Sequence, residues 1–373
     1  MRVVVAPDKF KGTLSARQAA EAIAAGWRRG DPSAGIDQAP VADGGDGTLD
    51  TLVGALGGRV VRARATGPLG DPVEAGFGLV ESAAGVTAVV EMARASGLDL
   101  VAESRRDPAR ATTRGTGELI RAAAHLRPAR IIVCIGGSAT NDAGAGMAQA
   151  LGVRLLDEDG ADLPPGGAAL RRLARVDVTD LEREVRDLPV IVASDVDNPL
   201  TGPHGASVIY GPQKGATADQ VAALDEALGH FAAVIHRDLG IDLRDQPGAG
   251  AAGGLGAGLI AFLGARLRPG FDVVAEVLDL PRRMEAADVA VTGEGRFDRQ
   301  TERGKAPLGV LRLAEETGCR RVVIAGQVEE GARPPAELVY SLASRAGLEA
   351  AMDRARELLE AAAAEAASTV RGE

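Results

Sequence analysis

The chain is poor in aromatic residues. Phe, Trp and Tyr make up 2% of its 373 residues, too few for the stacking platforms on which single-stranded nucleic acid is bound. A broad basic face is missing as well. The count of 42 Lys and Arg against 52 Asp and Glu gives a formal net charge of -10, which argues against nucleic acid and anionic membrane as partners. The two cysteines, Cys134 and Cys319, form no Cys-x-x-Cys pair; they offer no disulfide framework and fit a reduced, cytoplasmic setting. No apolar run reaches the ~20 residues of a membrane helix, and the start M-R-V-V-V-A-P-D-K is too short in apolar residues for a signal peptide. The four histidines, His125, His204, His230 and His236, lack metal-ligand spacing. Neither G-x-x-x-x-G-K-[ST] nor G-x-S-x-G occurs, so P-loop and hydrolase-elbow chemistries are set aside. Gly248, Gly250 and Gly253 fit G-x-G-x-x-G, but R-D-Q-P precedes them where a dinucleotide site needs a strand.

What is present is an alternation of strands and helices. The length favours two domains. Arg2 to Ala6 reads as a buried strand. Ser15 and Gln18 form a capping-box pattern ahead of a helix with Ala20, Ile23, Ala24 and Trp27 on one face. A strand over Gln38 to Ala42 and a helix carrying Leu49, Leu52, Val53 and Leu56 make a second βα unit. From about Gly58 the runs V-V-R-A-R-A-T and V-E-A-G-F-G-L-V, and then G-V-T-A-V-V-E-M-A, are strand-like and joined by turns, which predicts antiparallel pairing. Strands are expected at Arg130 to Ile135 and Pro189 to Ala193, with a long helix at Ala218 to Asp238 between later segments. Near the end the alternation returns: a strand at Ala287 to Thr292, a helix at Gly309 to Thr317, strands at Arg320 to Ala325 and Glu337 to Ala343, and a last helix from about Leu348. The expected architecture is a discontinuous doubly wound α/β domain, residues 1–62 with 282–373, and an inserted second α/β domain, residues 63–281. Ligands would bind between them, outside the carboxyl ends of strands.

Polar loops follow the strands, where α/β proteins place function. They are Asp8-Lys9-Phe10-Lys11, Asp43-Gly44-Gly45-Asp46-Gly47, Gly136 to Asp142, Asp195-Val196-Asp197-Asn198-Pro199 and Gly293-Glu294-Gly295-Arg296-Phe297-Asp298. Gly136 and Gly137, with Ser138, Thr140, Asn141 and Asp142 before a small-residue segment, suit an anion held by backbone N–H groups and hydroxyls. The same residues equally describe a tight turn and a capped helix. In D-V-D-N, Asp195 and Asp197 point to one side of an extended segment and suit Mg²⁺, which takes one or two carboxylates beside water and phosphate oxygens; D-x-D-N-P is also a good turn. Glu294 and Asp298 flank Arg296 as a general base or a second metal ligand, or as a solvated charge cluster. Lys9, Lys11, Lys214 and Lys305 stand out in a chain that otherwise prefers arginine, although a lone lysine is commonly a surface residue.

These blocks resemble the bacterial glycerate kinase family of the glycerate 2-kinase type. The resemblance rests on A-P-D-K-F-K-G-T-L-S-A, P-V-A-D-G-G-D-G-T, T-G-E-L-I, I-G-G-S-A-T-N-D, D-V-D-N-P-L-T-G-P-x-G-A, Y-G-P-Q-K-G-A, G-A-G-A-A-G-G-L-G-A-G and T-G-E-G-R-F-D, in the family's order over nearly the whole chain. It implies ATP-dependent phosphorylation of D-glycerate, on the 2-hydroxyl in preference to the 3-hydroxyl, with Mg²⁺. It also implies a flavodoxin-like domain, a second α/β domain with a restriction-enzyme-like core, and an active site in the cleft between them. On this reading Gly136, Gly137, Ser138 and Thr140, with Asn141, Asp142 and Lys214, receive ATP, while Asp195 and Asp197 hold Mg²⁺. Lys9, Lys11 or Arg296 binds the glycerate carboxylate or the phosphoryl group, and Asp43, Glu294 or Asp298 orients the attacking hydroxyl. Arg114, Ser194 and Ala143 stand where the family more often shows Tyr, Cys and Gly. A hydroxy-acid dehydrogenase and a metabolite-binding protein without turnover are the alternatives, and assembly into a homo-oligomer is compatible with the sequence.

Overall fold

The structure is a computed structural model that describes residues 1–298 and 306–372; Lys305 lies outside the described residues. In chain order the strands are β1 (Arg2–Val5), β2 (Gly35–Gln38), β3 (Arg59–Thr66), β4 (Pro72–Ser82), β5 (Gly85–Glu91), β6 (Arg130–Cys134), β7 (Arg154–Leu156) and β8 (Arg175–Asp177). They continue as β9 (Val190–Ala193), β10 (Arg266–Arg268), β11 (Val289–Thr292), β12 (Arg296–Phe297), β13 (Arg320–Ala325), β14 (Gln327–Val328) and β15 (Leu338–Ser341). The chain divides into two compact units: Met1–Asp43, Asp50–Gly58 and Gly270–Glu373 make the first, and Gly44–Leu49 with Arg59–Pro269 the second.

The first unit is built on a parallel sheet in the order β15-β13-β11-β1-β2. Numbered along the chain, this is the two-one-three-four-five order of a flavodoxin-like sheet, and its order reverses between β1 and β11. The inner strands are continuous β-branched runs because helices cover both faces; all of β11 is buried. The helix Ala16–Gly30 starts at the expected capping box, with Gln18 N donating to Ser15 Oγ and Ser15 N to Gln18 Oε1. It packs on the helix Ala355–Gly372. A Cβ on Gly26 would lie 2.1 Å from Glu360 O, and one on Gly30 2.2 Å from Ala364 O, so two glycines four apart let the helices touch through their backbones.

Two boundaries differ from the expectation for local reasons. β2 ends at Gln38 rather than running to Ala42, because Pro40 has no N–H to continue the ladder. Only single bonds from Ala39 N to Val5 O and from Val41 N to Pro7 O carry the segment onward. β15 stops at Ser341, whose hydroxyl accepts from Ser344 N and opens the short helix Leu342–Ala346. The expected last helix is two, Leu348–Asp353 and Ala355–Gly372.

The second unit holds a mixed sheet in the order β10-β9-β6-β5-β4-β3. β5, β6, β9 and β10 are parallel, and β3, β4 and β5 form the expected antiparallel meander. Its core is made by the sheet and by the helices Arg114–Ala124, Ala218–Leu239 and Ala251–Leu263, through residues such as Leu119, Ile120, Phe231, Ile235, Leu255 and Leu259. The carboxyl ends of the adjacent parallel strands β6 and β9 emerge side by side, and that edge carries this unit's polar loops.

Candidate active site

In the first unit the loops after β1 and β11 meet at the switch point. Asp8 N donates to Gly293 O at 2.9 Å and Gly295 N to Lys9 O at 3.4 Å. A Cβ on Gly295 would sit 2.9 Å from Lys11 N, so only glycine admits this approach. The loops bring the backbones of Lys9, half-buried, and Lys11, exposed, against Gly295, the neighbour of Glu294, which is 8% exposed. Glu294 O accepts from Gly326 N and Gly295 O from Gln327 N, which places Arg296 on β12 in a parallel pair with β14. Arg296 Nη2 donates to Glu329 Oε1 at 2.9 Å, and Asp298 follows directly, half-buried. Asp43 comes two residues after Val41, whose N–H is held by Pro7 O. Three of the loops singled out in the sequence, after β1, β2 and β11, thus bring cations and carboxylates to the switch point, the topological position at which open α/β sheets bind ligands.

In the second unit the loop after β6 is pinned on every side. Leu98 N donates to Gly137 O and Ala139 N to Ser96 O, while Gly137 turns with φ +73°. A Cβ on Gly136 would be 2.8 Å from Gly45 Cα, so the Gly44–Gly47 loop lies directly against it. That second glycine loop is fixed by Glu91 at the end of β5, 1% exposed. Its Oε1 accepts from Gly47 N at 2.6 Å and Thr48 N at 3.1 Å, and its Oε2 from Arg94 Nε at 3.1 Å. Burial pushes the Glu91 pKa up against the opposing pull of Arg94. Glu91 escaped the sequence reading, although a lone carboxylate closing the buried run V-T-A-V-V-E was a visible signal.

Asn141 and Asp142 are fully buried behind the loop. Asn141 Nδ2 donates to Ser207 Oγ. Asp142 accepts from Thr113 N, Thr113 Oγ1, Gly144 N and Gly146 N, so it ties the helix Ala145–Ala150 and the segment before Arg114–Ala124 to the loop. Burial pushes the Asp142 pKa up; the four donors oppose this by favouring the ionised acceptor. Lys214, 2% exposed, donates to Ser138 Oγ and to Thr140 O, both at 2.7 Å. Burial lowers its pKa to about 7, with Asp142 opposing. Ala143 has φ +53°, a left-handed conformation that explains why glycine suits this position.

The G-x-G-x-x-G run has a different use. A Cβ on Gly250 would lie 2.1 Å from Pro199 O and one on Gly253 1.9 Å from Thr140 O, while one on Gly258 would lie 2.4 Å from Ala143 O. The run is therefore a packing wedge whose backbone touches D-V-D-N-P on one side and the Gly136–Gly144 loop on the other, and protein backbone fills the space a dinucleotide would need. Asp195 and Asp197 are both exposed at the β9 edge. Asn198 is spent on holding its loop: Nδ2 donates to His204 O, and Oδ1 accepts from Tyr210 Oη. Burial, then the Asp197 charge, pushes the Tyr210 hydroxyl pKa up. Two exposed carboxylates on alternate residues are a donor set that fits Mg²⁺ sharing its shell with phosphate and water. Among the described residues the trio His125, Glu182 and Glu184 also has ligand atoms within 4.8 Å of one another. Arg121 Nη1 lies 3.8 Å from Glu182 Oε1, which makes it a mostly exposed ion-pair network.

No helix of the described residues is long and apolar enough to cross a membrane. The model of the glycerate kinase family matches residues 3–371. The chain is 47% identical to the glycerate kinase of Bacillus subtilis (strain 168), across 100% of this chain and 98% of that protein. It is 46% identical to the glycerate 2-kinase of Escherichia coli (strain K12), across 88% of this chain and 86% of that protein. In three dimensions it is similar to a candidate glycerate kinase 2 from Salmonella typhimurium LT2, with a TM-score of 0.92 and 44% identity over 100% of this chain and 98% of the other.

Proposed function

The chain belongs to the glycerate kinase family, and from that premise we propose that it transfers the γ-phosphoryl group of ATP to the 2-hydroxyl of D-glycerate. The observation that carries this reading is the pairing, at the ends of adjacent strands β6 and β9, of a pinned glycine loop with the exposed carboxylates Asp195 and Asp197. Phosphoryl transfer asks a protein for positioning and charge neutralisation, and these are the parts it uses. The choice of the 2-hydroxyl is supported by the similarity to the Escherichia coli glycerate 2-kinase.

In this mechanism Gly136, Gly137 and Ser138 face the ATP phosphates, with Thr140, Asn141 and Asp142 shaping the loop from within. Asp195 and Asp197 would hold Mg²⁺, which supplies neutralisation of the phosphate oxygens. Lys9, Lys11 and Arg296 receive the glycerate carboxylate and the transferring group. One of Asp43, Glu294 and Asp298 takes the proton from the attacking hydroxyl; Glu294 is our choice, because it is almost buried and a carboxylate shielded from water is suited to act as a base. The protein works as a soluble cytoplasmic enzyme on a small organic acid.

ADP release tests this directly. It should require D-glycerate and Mg²⁺, and Asp195→Asn should raise the Mg²⁺ concentration needed for half-maximal rate at least ~10-fold. ADP release unaffected by D-glycerate would overturn the kinase reading, and an unchanged Mg²⁺ requirement in the variant would overturn the metal assignment.

A further inference from the structure

The structure assigns Lys214 a role at one remove: it is a positioning residue that holds the Ser138 hydroxyl in the one orientation from which its proton can be donated out of the loop to a nucleotide phosphate. This rests on the kinase reading above and deepens it. Lys214 ends the turn Pro212–Lys214 and is 2% exposed. Its Nζ lies behind the loop at 2.7 Å from both Ser138 Oγ and Thr140 O, so its own donors are turned into the protein.

Charged or neutral, the Lys214 amino group has at least two N–H donors, and its two contacts use them, to Ser138 Oγ and Thr140 O. In the contact with Lys214, Ser138 Oγ is therefore the acceptor, and the single hydroxyl proton has to point elsewhere. The other surroundings of Ser138 narrow that choice. Its backbone neighbours on both sides are engaged with the Ser96–Leu98 segment, through Gly137 O and Ala139 N. The serine itself keeps 8% of its surface open, whereas Thr140, Asn141 and Asp142 keep none. Ser138 is thus the side chain through which this part of the loop reaches a ligand, and Lys214 decides how it does so. The second bond, to Thr140 O, ties the orientation to the loop backbone that the Gly253 approach also fixes. A buried lysine that merely filled space would be replaced without penalty by an apolar side chain; one that orients a hydroxyl would not.

The test is a double-mutant cycle on the full chain, read by calorimetric binding of ADP and by steady-state kinetics. Ser138→Ala and Lys214→Met should each weaken ADP binding and raise the KM for ATP about 10–100-fold, leaving the KM for D-glycerate unchanged. The double variant should be no worse than either single one, because the two changes remove one interaction. Multiplying losses in the double variant, or equal changes in both substrate KM values, would show a structural role only and overturn the proposal. Should Lys214→Met fail to fold, Ser138→Ala alone decides: normal ADP affinity in that variant removes the hydroxyl from the site. Wild-type protein that binds ADP but does not turn over D-glycerate would refute the kinase reading while leaving the Lys214 cycle readable. Wild-type protein that binds no ADP would overturn both.

Discussion

The glycine wedge makes a prediction that two single-methyl substitutions resolve. Gly253 and Gly264 both have left-handed backbone angles, φ +70° and φ +58°, within or at the end of the same helix Ala251–Leu263. An alanine at either position carries the left-handed penalty of about 1–2 kcal/mol. At Gly264 nothing lies within 4 Å of the added Cβ, and the penalty ends there. At Gly253 the Cβ would stand 1.9 Å from Thr140 O and 2.7 Å from Asn141 Cα, so backbone has to move by on the order of 1 Å, at a cost of about 1–3 kcal/mol more. Gly253→Ala should therefore destabilise by about 2–5 kcal/mol and Gly264→Ala by about 1–2 kcal/mol. Urea unfolding followed by circular dichroism measures both. The displaced segment is the loop proposed to bind phosphates, where a shift of about 1 Å costs roughly 100-fold in rate; Gly264→Ala should keep full turnover. Equal stabilities and equal rates for the two variants would refute the idea that the glycine run exists to support the Thr140–Gly144 backbone.

Three other outcomes are expected. Among Asp43→Asn, Glu294→Gln and Asp298→Asn, Glu294→Gln should lose about 10²–10⁴-fold in kcat with little change in melting temperature, and mild effects in all three would remove the general base from this set. Glu91→Ala leaves two N–H groups at the start of the helix Thr48–Leu56 without their carboxylate and should cost about 2–4 kcal/mol, whereas Glu91→Gln, which keeps an acceptor oxygen, should cost about 1 kcal/mol in the same unfolding assay. Lys214 has a folded pKa of about 7, below its unfolded value, so folding releases a proton above that pH and stability from this group grows as pH rises from 7 towards 10. Wild type should gain on Lys214→Met by up to about 1.4 kcal/mol per pH unit over that window, and a flat difference would mean the lysine is not desolvated.

The sequence was most legible where one residue type had one physical reading. The Ser15–Gln18 capping box, the β-branched runs of β1, β11 and β13, and the antiparallel meander of β3 to β5 all lie where their patterns place them. The loops were legible as loops, since glycine and aspartate after an apolar run have few other uses. What the sequence left open was which of their side chains face out. Asn141 and Asp142 look like ligand donors in a linear string, yet Asp142 accepts from Thr113, Gly144 and Gly146 behind the loop, and the Asn141 amide nitrogen is engaged by Ser207. Lys214 reads as a phosphate-binding lysine, and its Nζ is spent on Ser138 and Thr140. Such partners are remote in sequence, 66 residues for Asn141 and Ser207, and no local spacing encodes them. The glycine run was legible as a failed dinucleotide motif from its missing strand, but its use as a wedge emerges only from the approach of Pro199, Thr140 and Ala143. Glu91 was passed over for the opposite reason: a strand pattern absorbed it.

The most direct test of the central claim is turnover of D-glycerate with ATP and Mg²⁺, coupled through enolase and pyruvate kinase with no phosphoglycerate mutase present. Pyruvate should form without the mutase, because the expected product is 2-phospho-D-glycerate. Signal only after mutase is added would place the phosphoryl group on the 3-hydroxyl and contradict the proposed regiochemistry, and silence in both would contradict the kinase reading itself.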